Sequence, residues 1–220
     1  MPPFRVSSGG STESRAFTLI ELLVVIAIIA LLAALSFPVF GSMRRSSDLA
    51  SGVQAQKNIG AALTQYIADS GGKLPTLTSH TQFVVKEKFA GDGLMLHLAP
   101  YLGAAHLKAT DYVPGTASKA FLRQENPLNT ACYWLPFRTT ELLDGTKATP
   151  FGTRWDPGAV GVRLMAIANP SRQVALIDTM PGAGAALPKQ PLYGDRRVAM
   201  FFDFHAEVVA TNFPWSTTQP

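Results

Sequence analysis

Cysteine is nearly missing from this chain: Cys132 is the sole one among 220 residues. No intramolecular disulfide can form and no multi-cysteine metal site exists, so a single buried thiol is the expected state. An oxidising compartment does not require disulfides, and the compartment stays open on this ground. Blocks of like charge are missing too. The net charge is +4 and the isoelectric point is near 9.3, yet the Lys and Arg residues are scattered, and no nucleic-acid partner is expected. His80, His97 and His106 lack the i, i+4 spacing of a helical metal pair. There is no G-x-S-x-G, P-loop or dinucleotide fingerprint. Nothing here points to an enzyme of those classes.

Hydrophobic residues make up 47% of the chain, which is ordinary, so the apolar excess must be local. It is concentrated in "RAFTLIELLVVIAIIALLAALSFPVF", Arg15 to Phe40. Between Phe17 and Phe40 the only formal charge is Glu21. As a helix rising about 1.5 Å per residue, that stretch reaches roughly 36 Å, enough for a hydrocarbon core of about 30 Å. Its Leu, Ile, Val and Ala residues show neither a period of two nor a polar face. It is therefore a helix immersed in lipid or buried on all sides. A secretory signal would have an apolar region of about 7–15 residues followed by a small-residue cleavage site; here the run is longer and Arg44-Arg45 follow it. Arg5 and Arg15 precede the run and Arg44, Arg45 and Lys57 follow, so charge counting assigns no orientation.

Glu21 is the anomaly. A carboxylate within a membrane helix costs on the order of 2.5–3.5 kcal/mol, less near an interface. Either it lies near the end of the span and snorkels, or it needs a positive partner inside the apolar surroundings. A cut just before Phe17 would create such a partner, a new α-amino group four residues from Glu21.

These residues resemble the N-terminal signature of the type IV pilin superfamily, which includes pilins and the pseudopilins of type II secretion. Its members carry a short hydrophilic leader, a cleavage site, then Phe-Thr-Leu-Ile-Glu and a long apolar helix; here these are 1–16, Phe17, Thr18, Leu19, Ile20 and Glu21. Pro38 falls where many pilins have a helix-kinking proline, twenty-two positions in from Phe17. The residue before the cut is normally Gly, and here it is Ala16. The resemblance implies that a prepilin peptidase cuts between Ala16 and Phe17 and methylates the new amine. It implies a cytoplasmic leader 1–16, a transmembrane and assembly helix 17–40, and a single-pass inner-membrane protein whose head is periplasmic or in an extracellular filament. Glu21 would pair with the Phe17 amine of an adjacent subunit, with Thr18 and Pro38 also serving assembly. The partners implied are the peptidase, other pilin-like subunits and inner-membrane lipid, and the chain would have no catalysis of its own.

Beyond the span, residues 41–70 read as an amphipathic continuation of the helix. Leu49, Val53, Ile59, Leu63, Tyr66 and Ile67 recur at helical spacing, and Asp48, Gln54, Gln56 and Lys57 are expected on the other face. Gly71-Gly72 and then Pro75 stop it. Residues 71–220 suffice for one core of their own. The first part is rich in loops, with a short helix expected in "GDGLMLHLAPYLGAAH". "VGVRLMAIANPSRQVALIDTM" reads as strand, turn, strand around Asn169-Pro170-Ser171. "RRVAMFFDFHAEVVAT" repeats that form, with Val198–Phe202 and Ala206–Val209 flanking the turn Asp203-Phe204-His205. The fold class expected is α+β, a long N-terminal helix packed on a C-terminal antiparallel sheet.

This C-terminal part is similar to a subgroup of pilin-like proteins whose tail has a His, nine residues, Asp-Gly and a last strand. Tyr193 stands where that His would be and Phe204 replaces the Gly. Asp178, Asp203 and His205 form a candidate divalent-cation site, with calcium the natural ion for loop oxygens; turn-forming Asp residues and a surface His are the plainer reading. Trp134, Trp155 and Trp215 are expected in the core or at its rim. A pseudopilin of a type II secretion apparatus is the leading reading, a type IV major or minor pilin the next. A membrane-anchored periplasmic metal-dependent enzyme would need Asp178, Asp203 and His205 to converge. A signal-anchored binding protein would leave Glu21 incidental.

Overall fold

The computed structural model describes residues 17–87, 93–153, 158, 160–182 and 186–213, without the side chains of 36–39. The fold is α+β. The chain divides into two compact units, Met1–Met43 and Arg44–Pro220. The long helix α1, Leu19–Asp69, contributes to both. It ends where the reading placed its stop: Gly71 and Gly72 take φ of +65° and +83°, and the Gly72 amide donates to the Ile67 carbonyl at 2.8 Å, closing the last turn as left-handed glycines do.

In the second unit Ile59, Leu63 and Ile67 of α1 are buried, with Leu49, Val53 and Tyr66 packed partly against the same cluster. Gln54 and Lys57 are exposed as expected. Asp48 and Gln56, placed on the outer face by their polarity, are instead 7% and 0% exposed. Each has a partner across the interface. Arg123, in the short helix α3 (Lys119–Gln124), grips Asp48 with both guanidinium nitrogens at 3.1 and 2.6 Å. Gln56 reaches the sheet. The covered face of the helix is thus wider than its apolar stripe, because hydrogen-bonded polar groups can be buried alongside it.

The sheet has five antiparallel strands in the order β1-β2-β5-β6-β7. These are β1 Thr81–Gln82, β2 Tyr133–Trp134, β5 Val174–Asp178, β6 Arg196–Phe201 and β7 Ala206–Ala210. Along β6 the side chains alternate: Val198 and Met200 join the cluster with Ile59 and Leu63, while Ala199 and Phe201 join Ile177 and Val209 on the other face. The short helix in 91–106 is present as α2, Leu94–Leu98, followed by a 3-10 turn. A second two-stranded sheet, β3 Thr140–Glu141 with β4 Lys147–Ala148, lies in the region read as loops.

The expected β6–β7 hairpin is present, but the other expected hairpin is not. Its first arm forms a 3-10 turn at Leu164–Ala166, and only the second arm is a strand, β5. The backbone of the first arm is bonded elsewhere: the Leu164 amide donates to Gly72 and the Ala166 carbonyl accepts from Leu143. With those groups taken by two different segments, a ladder to β5 cannot form.

Two side chains of β6's flanks meet glycines on α1. Phe204 adopts φ +65°, the left-handed conformation that a Gly would take without strain. Its Cβ sits so close to Gly60 that a Cβ on Gly60 would stand 3.1 Å away. The Tyr193 hydroxyl sits over Gly52, 2.5 Å from where a Cβ there would be. Helix propensity alone would make Gly52→Ala stabilising by roughly 0.5–1 kcal/mol. The contact with a buried tyrosine reverses that sign, and the variant is expected to be about 1–3 kcal/mol less stable in denaturant titration. Tyr193→Phe in the same chain should restore most of the loss, since it removes the atom that collides.

Candidate processing and assembly site

In the first unit the start of α1 is built by two residues of the Phe17–Glu21 motif. Thr18 stands just before the first helical residue, Leu19. The Glu21 amide donates to the Thr18 hydroxyl oxygen at 3.2 Å. In return Glu21 Oε2 accepts from the Thr18 amide and from its hydroxyl, both at 2.9 Å. This is a capping box, in which Ser/Thr-x-x-Glu satisfies two of the orphan donors at a helix start. It also sets a negative charge in the first turn, where the helix dipole favours it. The reading of Glu21 as a charge lacking a partner overlooked this local role. The signal was in the sequence, in the Thr18-x-x-Glu21 spacing ahead of an apolar run.

The large apolar side chains beyond the cap are exposed almost without exception. Leu19, Ile20 and Leu22 are 81%, 72% and 59% exposed, and Ile29, Leu31 and Leu32 are near 60%. A continuous apolar surface of this kind does not persist in water. Among the described residues no single straight helix is long and apolar enough to cross a membrane, although Leu19–Leu35 and Phe40–Asp69 pass that test as a pair, by length and composition. Ala16 and the rest of 1–16, the side chain of Pro38, and Trp155 and Trp215 lie outside the described residues.

Asp178, Asp203 and His205 are not brought together. Strand β5 runs antiparallel to β6 with Val174 opposite Phe201 and Ile177 opposite Ala199. Asp178 therefore lies near the start of β6, whereas Asp203 and His205 follow its end. Asp203 and His205 pair with each other at 2.5 Å on the surface, and the imidazole stacks on Phe201 with centroids 4.5 Å apart. Among the described residues no three of His, Cys, Asp and Glu are grouped so as to hold a metal ion. Tyr193 and Asp203, the two ends of the subgroup's tail motif, likewise flank opposite ends of β6, so they do not make one site.

Asp178 has a different setting. Its Oδ2 accepts from the Val198 amide at 2.8 Å and its Oδ1 from the Gln56 amide group at 3.2 Å, while Gln56 also donates to the Val198 carbonyl at 2.9 Å. The Arg197 guanidinium donates to the Asp178 main-chain carbonyl, through Nε at 2.9 Å and also through Nη2, and lies 5.7 Å from the Trp134 ring centroid. Burial pushes the Asp178 carboxyl from 3.8 up to about 7, against the opposing pull of Val198, Arg197 and Gln56. Burial likewise lowers Arg197 to about 10 and raises the Cys132 thiol. Gln56, Asp178 and Val198 tie helix to sheet, and Arg197 ties β6 to β5.

Residues 12–37 match the family model described as the prokaryotic N-terminal methylation motif. No curated protein and no solved structure matches the chain. The matched segment is the prepilin-type signal of type IV pilin-like proteins, and it contains the whole capping box. The chain thus carries the signal for prepilin processing and points to a structural subunit of that class.

Two outcomes are expected. Because the folded Asp178 carboxyl keeps its proton to a higher pH than the unfolded one, the folded chain binds more protons between 3.8 and about 7. Its contribution to stability is full below that window and is lost as pH rises through it. Thermal unfolding of the full chain in detergent should give a lower midpoint at about pH 7.5 than at about pH 4.5, with the difference reduced in Asp178→Asn.

Proposed function

We propose that this protein is a pilin-like filament subunit, with a pseudopilin of type II secretion as the leading form and a type IV pilus subunit as the other. Residues 1–16 would be a cytoplasmic leader, 17–40 the membrane and assembly helix, 41–70 its amphipathic continuation and 71–220 a head outside the inner membrane. A prepilin peptidase would cut between Ala16 and Phe17 and methylate the new amine. The chain would then be held in the inner membrane by a single pass until it joins other pilin-like subunits.

The observation that carries this reading is the capped helix start followed by an apolar surface left exposed among the described residues. Such a surface needs lipid or other copies of the same helix around it. Both contacts that the Glu21 carboxylate makes with Thr18 use Oε2. Oε1 would then accept from the Phe17 amine of a neighbouring subunit, so the same carboxylate would cap its own helix and set the register of the next. Pairing offsets the expense of a carboxylate in an apolar filament core.

Intact-mass measurement of the protein from membranes, with and without a prepilin peptidase, tests the pathway. The expected product has lost residues 1–16 and carries one methyl group at Phe17. An uncut chain, or one cut after the apolar run, overturns the reading. Glu21→Leu should still be inserted in the membrane yet fail to enter filaments; normal assembly of that variant would make Glu21 incidental.

A further inference from the structure

We propose that the cleft beside Arg197, between the end of β5 and the start of β6, is a binding site for a small monocarboxylate with a compact apolar body. The cleft has a volume of about 300 Å³, at the lower end of the range of small-molecule sites, roughly 300–1,000 Å³. Arg197 lines it and is 3% exposed. One edge of its guanidinium, Nε and Nη2, donates to the Asp178 main-chain carbonyl. Nη1 is buried with no hydrogen-bond acceptor among the described residues, and the ion pairs among those residues involve neither Arg197 nor Arg196. A buried cation with an unpaired donor is costly. The end-on fork of Nη1 and the second proton of Nη2 is one that a carboxylate fills with two parallel bonds.

The lining selects this ligand by charge and by shape. Arg196, which is exposed, adds a second guanidinium to it. The one carboxyl side chain among the lining residues, Asp178, accepts from Val198 through Oδ2 and from Gln56 through Oδ1. Burial also keeps it protonated up to about 7, so below that pH it does not cancel the two cations. A neutral ligand would leave the Arg197 charge unanswered. A free amino acid would bring an ammonium towards two guanidinium groups. Inorganic phosphate would answer the charge, but Met180, Pro181, Pro191 and Leu192 give the cleft apolar walls that it cannot use. A ring or short chain attached to the carboxylate would bury itself against them. Nη1 lies beneath the cleft surface, so its bond to a ligand requires a rotamer change in the lining. The unbranched side chains of Met180 and Arg196 are suited to that change.

Methionine-methyl NMR on the full chain in a non-ionic detergent, at about pH 6, tests this by titration with benzoate, phenylacetate and hexanoate. At least one should shift the Met180 methyl signal with a Kd in the millimolar range or below, while benzamide and inorganic phosphate bind at least about tenfold more weakly. Arg197→Gln keeps a donor for the Asp178 carbonyl but removes the charge and the fork, and should weaken carboxylate binding by about tenfold or more. Arg196→Gln should weaken it about threefold, and since Arg196 is exposed its replacement keeps the test valid if Arg197→Gln unfolds the chain. No shift from any of the three acids at about 50 mM overturns the proposal. So does benzamide binding as tightly as benzoate, or phosphate binding where no carboxylate does. Binding that Arg196→Gln leaves unchanged, with Arg197→Gln either unfolded or equally without effect, overturns it too.

Discussion

The junction of Gln56, Asp178 and Val198 is what fixes the head to its helix. Apolar packing of Ile59, Leu63 and Ile67 supplies the area, but apolar contact alone tolerates sliding along a helix. A buried carboxyl accepting from Val198 on one side and from Gln56 on the other does not. Shifting α1 by one turn would leave Asp178, Gln56 and the Val198 carbonyl unpaired in a dry interface, each a loss of about 1–3 kcal/mol. The Arg123–Asp48 fork, two turns earlier on the helix, pins the same register from α3. Gly52 and Gly60 then follow from that register, because each lies under a side chain that a methyl group there would displace.

The first unit is governed by the opposite condition. Among its described residues the large apolar side chains are exposed, and the one formal charge between Phe17 and Phe40, Glu21, is turned to local use at the helix start. Glu21 is tolerable beside so many Leu and Ile residues because Thr18 gives it two hydrogen bonds and the helix terminus gives it a favourable field. Membrane anchoring and filament assembly both make use of such an element: a helix that is well formed from its first turn and leaves its apolar surface to be covered by other molecules.

The departures from the subgroup's tail motif have separate physical meanings. At Phe204 the backbone keeps the conformation a Gly would provide, and the strain is offset by packing of the aromatic ring into the core cluster beside Gly60. At Tyr193 a long side chain reaches inward to the helix instead of lining a surface site. In this chain the nine residues between Tyr193 and Asp203 are the tight turn and the strand β6.

The apolar run, its single carboxylate, the stop at Gly71-Gly72 and the β6–β7 hairpin were legible from the chain alone, because each depends on neighbours within a few residues. The capping box was equally local and could have been read from Thr18 and Glu21. What only the tertiary structure decided were matters of long-range pairing. Asp48 and Gln56 are polar, and nothing nearby in sequence says that Arg123 and Asp178 will meet them inside. The 162–168 segment has the composition of a strand, yet its backbone groups are claimed by Gly72 and Leu143. Gln173 bridges to Glu141 across thirty-two positions. Local spacing sets helices, caps and turns; burial of a polar group depends on a partner that only the folded chain brings within reach.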